Sequence, residues 1–158
     1  MDKVDTIIFK TLCVIVSCLM FGMMALVSAQ VFFRYVLDKA LTWSDELGRF
    51  MFIWMSFLGA CAAYYKGSHV ALDLFVRLAK GTSKKILTIV IDLFTLVFSV
   101  ALTISGSNMV QVGLLQRSPS LSIQMNFVFM VLPASGVILS YFCLRKIYKQ
   151  ILSPKGDI

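Results

Sequence analysis

Four runs of sequence, each long enough to cross a bilayer, decide what this chain can fold into. Residues 11–33 are 23 positions without a charge, and about 20 apolar residues in a helix span a hydrocarbon core of roughly 30 Å. Residues 47–65 form a second run, interrupted only by Arg49; residues 86–116 form a third, with one acid, Asp92. The fourth, residues 118–144, is uncharged throughout. Lipid offers the backbone no hydrogen-bond partners, so runs of this length must be helical. Hydrophobic residues make up 59% of the 158 positions and charged residues 15%, more apolar surface than a water-soluble domain of this size can hide. The expected fold is an all-α integral membrane protein. It is read as a single membrane domain over residues 1–158, with spans at about 8–34, 45–65, 85–115 and 123–145.

The first run differs from a secretion signal in its charge-balanced start (Asp2, Lys3, Asp5) and in its length, since signal cores are roughly 7–15 residues. It is expected to remain as a helix. With the N-terminus inside, the inner segments hold eleven basic residues: Lys3, Lys10, Lys66, Arg77, Lys80, Lys84, Lys85, Arg145, Lys146, Lys149 and Lys155. The outer segments hold four: Arg34, Lys39, Arg49 and Arg117. That bias places both termini in the cytoplasm. Arg34 and Tyr35 close the first span, and Lys84 and Lys85 open the third, as interface anchors. The net charge of +7 follows membrane topology and does not point to nucleic acid. The four cysteines, Cys13, Cys18, Cys61 and Cys143, all lie in apolar runs with no C-x-x-C pair. They read as small buried hydrophobes, with no disulfide framework, metal site or cofactor indicated.

Charge, aromatic rings and a helix start crowd together only at Leu41-Thr42-Trp43-Ser44-Asp45-Glu46-Leu47-Gly48-Arg49. Thr42 and Asp45 fit a capping box. Asp45 and Glu46 suit the positive end of a helix dipole, and Arg49 stands four and three residues after them, within reach of both carboxylates. Trp43 lies where an interfacial anchor belongs, with Trp54 three turns further on. After Lys66-Gly67, His69, Asp73, Arg77 and Lys80 form one polar stripe, which predicts a short amphipathic helix at about 69–80 on the inner surface. A re-entrant or partner-packed helix is the alternative. His69, the sole histidine, reads as a solvated or capping residue in preference to a proton relay.

The third span carries Thr88, Asp92, Thr95, Ser99, Thr103 and Ser107 at spacings of three or four. A polar seam of this kind faces protein, because lipid cannot satisfy it. Asp92 lies about two turns past Lys85, roughly 10 Å at 1.5 Å per residue, near the inner interface, where a threonine or a basic group of another helix would pair with it. Ser99, Thr103 and Ser107, and then Gly136 and Ser140, make small-xxx-small rows for close helix approach. In the fourth span Pro133 leaves the Phe129 carbonyl without its donor and should bend the helix.

No nucleophile–base pair, phosphate loop or metal-ligand cluster appears in the sequence, so no enzyme is indicated. Nor do the halves mirror each other as in a self-contained transporter. What remains is the profile of a subunit. Two other classes compete with it: a four-helix membrane enzyme, which would need a basic cluster on one face for an anionic cofactor, and a small self-associating exporter, which would need an essential acid deep in a span.

The segments Gln30-Val31-Phe32-Phe33-Arg34-Tyr35-Val36, Leu41-Thr42-Trp43-Ser44-Asp45-Glu46-Leu47-Gly48-Arg49-Phe50, Phe57-Leu58-Gly59-Ala60 and Tyr64-Tyr65-Lys66-Gly67-Ser68-His69-Val70 closely resemble the small membrane subunit of TRAP transporters, the DctQ type. The resemblance covers nearly the whole chain and is strongest at the Trp-Ser-acid-Glu-x-x-Arg segment. It implies a non-catalytic subunit of a sodium-coupled, tripartite organic-acid importer of the bacterial inner membrane, with sialic acid and C4-dicarboxylates the best-known cargoes. The implied partners are a large multi-pass membrane subunit, one to one, whose scaffold this chain braces, and a periplasmic substrate-binding protein. Trp43, Ser44, Asp45, Glu46, Arg49 and Trp54 would be its signature, either touching the large subunit or folding their own helix. The seam residues Asp92, Thr95, Ser99 and Thr103 would be buried, and none of these residues would bind substrate.

Overall fold

The computed structural model describes residues 3–39, 41–67 and 82–152. Within them the chain forms α1 (Lys3–Val36), α2 (Thr42–Tyr65), α3 (Thr82–Gly113), α4 (Asn126–Phe129) and α5 (Val131–Leu152). There is no strand among the described residues, and a lone antiparallel bridge joins Arg117 to Gln124. α1, α2, α3 and the combined α4–α5 unit are each long and apolar enough to cross a membrane. The chain is an all-α, multi-pass membrane protein. The amphipathic helix expected at 69–80 lies outside the described residues, as do the side chains of Lys84 and Lys85.

Local chemistry sets the helix boundaries. α1 ends where Asp38 turns left-handed (φ 52°), and the N–H groups of Leu37 and Lys39 both return to the Phe33 carbonyl. Asp is among the few residues that tolerate that conformation. α2 ends at Gly67 (φ 71°), a backbone turn that only glycine adopts without penalty. Between α4 and α5 the interruption is a single residue, Met130, which keeps helical dihedrals (φ −59°, ψ −23°). The break follows directly after Phe129, whose carbonyl would have bonded the N–H that Pro133 lacks.

The helices pack in a row. α1 lies along α2 and α3 along α5, and contact between α2 and α5 joins the two pairs. The buried apolar cluster follows this order, with Leu12 from α1, Leu58, Cys61 and Tyr64 from α2, and Val131, Leu139, Phe142 and Cys143 from α5. α5 is the axis: the fourth span is the most buried within the protein and the first the least. α1 therefore turns most of its apolar surface outward.

α3 reaches α5 closely because small residues meet there. A Cβ added at Gly136 would collide with the Thr103 hydroxyl and lie 2.9 Å from the Ser99 carbonyl. The Ser99 and Ser140 hydroxyls are 2.8 Å apart across the contact. Thr95 and Thr103 return their hydroxyls to the carbonyls of Ile91 and Ser99 in their own helix, a common way to satisfy such groups within a span.

Candidate functional site

The polar side chains gather at the two ends of the helix row. At the end where α1 leads into α2, the start of α2 is the hub. Ser44 is buried, and both its N–H and its hydroxyl donate to the Leu41 carbonyl, at 3.1 and 2.6 Å. Asp45 accepts a hydrogen bond from the Gln30 carboxamide of α1. Glu46 points the other way, into the protein. Its Oε2 accepts the N–H groups of Ser120 and Leu121, each at 3.1 Å, while the Ser118 hydroxyl accepts a second bond from the Leu121 N–H. The loop it grips is itself a small hairpin, with the Ser118 N–H bonded to Ile123 and the Met125 N–H to Gln116. One helix start thus ties the end of α1 to the loop between α3 and α4.

Two local expectations are corrected here. The capping box between Thr42 and Asp45 does not form: Leu41 occupies the N-cap position with no side-chain cap, and Thr42 is already helical. Asp45 is drawn instead to Gln30, so a tertiary bond wins over the local pattern. Arg49 is not in contact with the carboxylates either, although its charge still acts on Glu46. It is exposed and forms no ion pair among the described residues, because Glu46 is turned inward to the loop and Asp45 toward α1. Trp43 is 41% exposed, and Trp54 packs against the apolar cluster. Arg34 and Tyr35 are exposed in the last turn of α1.

At the opposite end two buried carboxylates meet the base of α5. Asp92 is fully buried; its Oδ1 accepts from the Lys146 ammonium at 2.7 Å and the Tyr64 hydroxyl at 2.9 Å. The Cys143 thiol donates to the Asp92 carbonyl, and the Lys146 ammonium lies over the Tyr64 ring, 5.2 Å from its centre. The second acid, Asp5 of α1, is 4% exposed. It accepts from the Tyr141 hydroxyl at 3.0 Å and pairs with Arg145 at 3.3 Å. A buried carboxylate without such partners would be very costly. Adjacent residues of α5, Arg145 and Lys146, therefore hold α1 on one side and α3 on the other.

Of the expected seam, Asp92 and Ser99 are fully buried and Thr95 and Thr103 partly so. Sequence reasoning missed Asp5, Gln30, Tyr64, Tyr141 and the roles of Arg145 and Lys146. A usable signal existed for some of them: the charge bias puts Asp5 and the Arg145–Lys146 pair on the same side of the membrane, and an acid there has reason to find a base. What these residues do chemically is hold helices. No group of three His, Cys, Asp or Glu able to bind a metal occurs among the described residues.

Residues 23–153 match the family model for the DctQ component of tripartite ATP-independent periplasmic transporters. The chain is 26% identical over 130 residues to the sialic acid TRAP transporter small permease protein SiaQ of Vibrio cholerae, covering 82% of this chain and 75% of that one. It is 29% identical over 94 residues to the C4-dicarboxylate TRAP transporter small permease protein DctQ of the same organism, covering 60% and 40% of the two chains. Against the isethionate TRAP transporter permease protein DctMQ of Oleidesulfovibrio alaskensis it is 25% identical over 141 residues, 82% of this chain but 22% of that one. Four membrane-length helices, polar residues committed to joining them, and a family match over most of the chain lead to one conclusion: this chain belongs to the DctQ family, the small permease component of TRAP transporters, and is a transporter subunit and not an enzyme.

Proposed function

We propose that this chain is the substrate-free membrane brace of a sodium-coupled organic-acid importer. It sits in the bacterial inner membrane with both termini cytoplasmic and pairs one to one with a large multi-pass permease subunit, which receives its cargo from a periplasmic binding protein. The observation that carries this reading is the similarity to one part of a much longer permease protein, DctMQ, which supports a chain that works beside a large permease portion. Its polar residues support a bracing role. Asp5, Asp92 and Glu46 are engaged within the chain, and the signature residues Trp43 and Arg49 are left at the surface for a partner. The named cargoes of the relatives, sialic acid, C4-dicarboxylate and isethionate, are all organic anions, and that class is the proposed cargo here, with sialic acid the first to try.

The test is deletion of this chain in cells that still make the large subunit and the binding protein. Sodium-dependent uptake of the organic acid is expected to vanish and to return with the chain supplied in trans. Normal uptake without it would refute the reading.

A further inference from the structure

A groove of about 220 Å³ opens between α2 and α3, with α5 as its floor. Its floor is tight and small: Cys61 and Ser135 are 1% and 2% exposed, the Cys61 thiol donates to the Ser135 carbonyl, and the Ser135 hydroxyl returns to Leu132. Its walls are open, with Ser56 and Ala60 exposed on α2 and Phe98 60% exposed beside Leu102 on α3. The lining residues lie well inside both spans, away from the water at either end.

Two features separate this groove from surface that merely faces lipid. The Ser56 hydroxyl has no partner among the described residues, whereas Thr95, Thr103, Ser135 and Ser140 each bond a carbonyl of their own helix. Acyl chains offer no acceptor for it. Arg49 stands seven residues before Ser56, two turns up the same stripe of α2, exposed and without an ion pair among the described residues. A guanidinium inside a span faces protein or reaches for an anionic group. Across the groove, Ser105 continues the stripe of Phe98 and Leu102 as a further exposed polar group.

We infer that this groove seats one transmembrane helix of the large permease subunit. An apolar side-chain ridge of that helix fills the space between α2 and α3, as ridges fill grooves wherever helices cross. An acceptor oxygen at mid-depth takes the Ser56 hydroxyl, and a carboxylate or carbonyl nearer the outer end takes Arg49. This rests on the subunit reading above and adds to it the face and the partner chemistry.

The test uses the intact transporter, with a photo-crosslinking benzophenone amino acid at Phe98 in the groove or at Phe21 on the outward face of α1, which is 81% exposed. Crosslinking to the large subunit is expected at Phe98, several-fold above that at Phe21. A second variant, Ala60→Trp, fills the groove from an exposed position and is expected to lower the large subunit recovered with this chain about tenfold. If the large subunit co-purifies with the wild-type chain but Phe98 labels only lipid, or labels the large subunit no better than Phe21, the groove is not the seat, while the subunit reading stands. If the large subunit does not co-purify with the wild-type chain, both fail.

Discussion

Replacing Lys146 by methionine keeps most of the side chain and removes its charge, leaving Asp92 without the ammonium that lies 2.7 Å away. The two partners do not depend on each other equally. The Asp92 side chain has no exposure at all, whereas that of Lys146 is 40% exposed. Deprived of Asp92, the half-exposed lysine can turn outward; deprived of Lys146, the carboxylate stays buried. Removing one partner from a buried pair costs about 3–5 kcal/mol when the remaining charge stays trapped. The hydrogen bond kept from Tyr64 places Lys146→Met near the lower bound, about 3 kcal/mol. Asp92→Asn leaves a neutral amide that still accepts from Tyr64, and its cost is expected near that of one hydrogen bond, about 1 kcal/mol. The double variant is expected to be more stable than Lys146→Met alone. Equilibrium unfolding of the purified chain in mixed detergent micelles, followed by the fluorescence of Trp43 and Trp54, measures all three. An Asp92→Asn loss equal to or larger than that of Lys146→Met, or effects that simply add in the double variant, would show that the pair is not coupled as the geometry requires.

Glu46→Ala removes an acceptor from two loop amides at once; the Leu121 N–H keeps the Ser118 hydroxyl, and the Ser120 N–H left unmet costs about 1 kcal/mol. Hydrogen exchange is expected to speed up at Ser120 and Leu121 while the core of α5 stays protected; unchanged exchange at both amides would mean Glu46 does not hold the loop. Gly136→Ala puts a methyl into the Ser99–Thr103 backbone and forces α3 away from α5, at a cost of about 1–3 kcal/mol. A disulfide engineered between Ser99→Cys and Ser140→Cys, whose hydroxyls touch in the native chain, is expected to form readily on its own and poorly when Gly136→Ala is added.

The class of fold was legible because the bilayer imposes it: a run of 23 residues without a charge has one physical solution,. Pro133 likewise announced where the last span would be interrupted, since its missing N–H has a single addressee four residues back. Spacing along a helix also put Asp92, Ser99 and Thr103 on one face and marked Gly136 and Ser140 as a second small pair, but that the two rows meet came only from the structure. Such spacing stops at the helix edge. It says nothing of Glu46 gripping amides 74 and 75 residues away, or of Asp5 pairing with Arg145 across 140. The Thr42–Asp45 pattern misled for the same reason. A capping box is a local bond, and Gln30, coming from another helix, competed for the same carboxylate and won.

Arg145 and Lys146 are neighbours in one turn of α5, and their partners lie in α1 and α3. Until α5 packs against them, Asp5 lacks Tyr141 and Arg145, and Asp92 lacks Lys146. The two contacts therefore form or fail together: any displacement of that turn of α5 loosens its hold on α1 and on α3 at once.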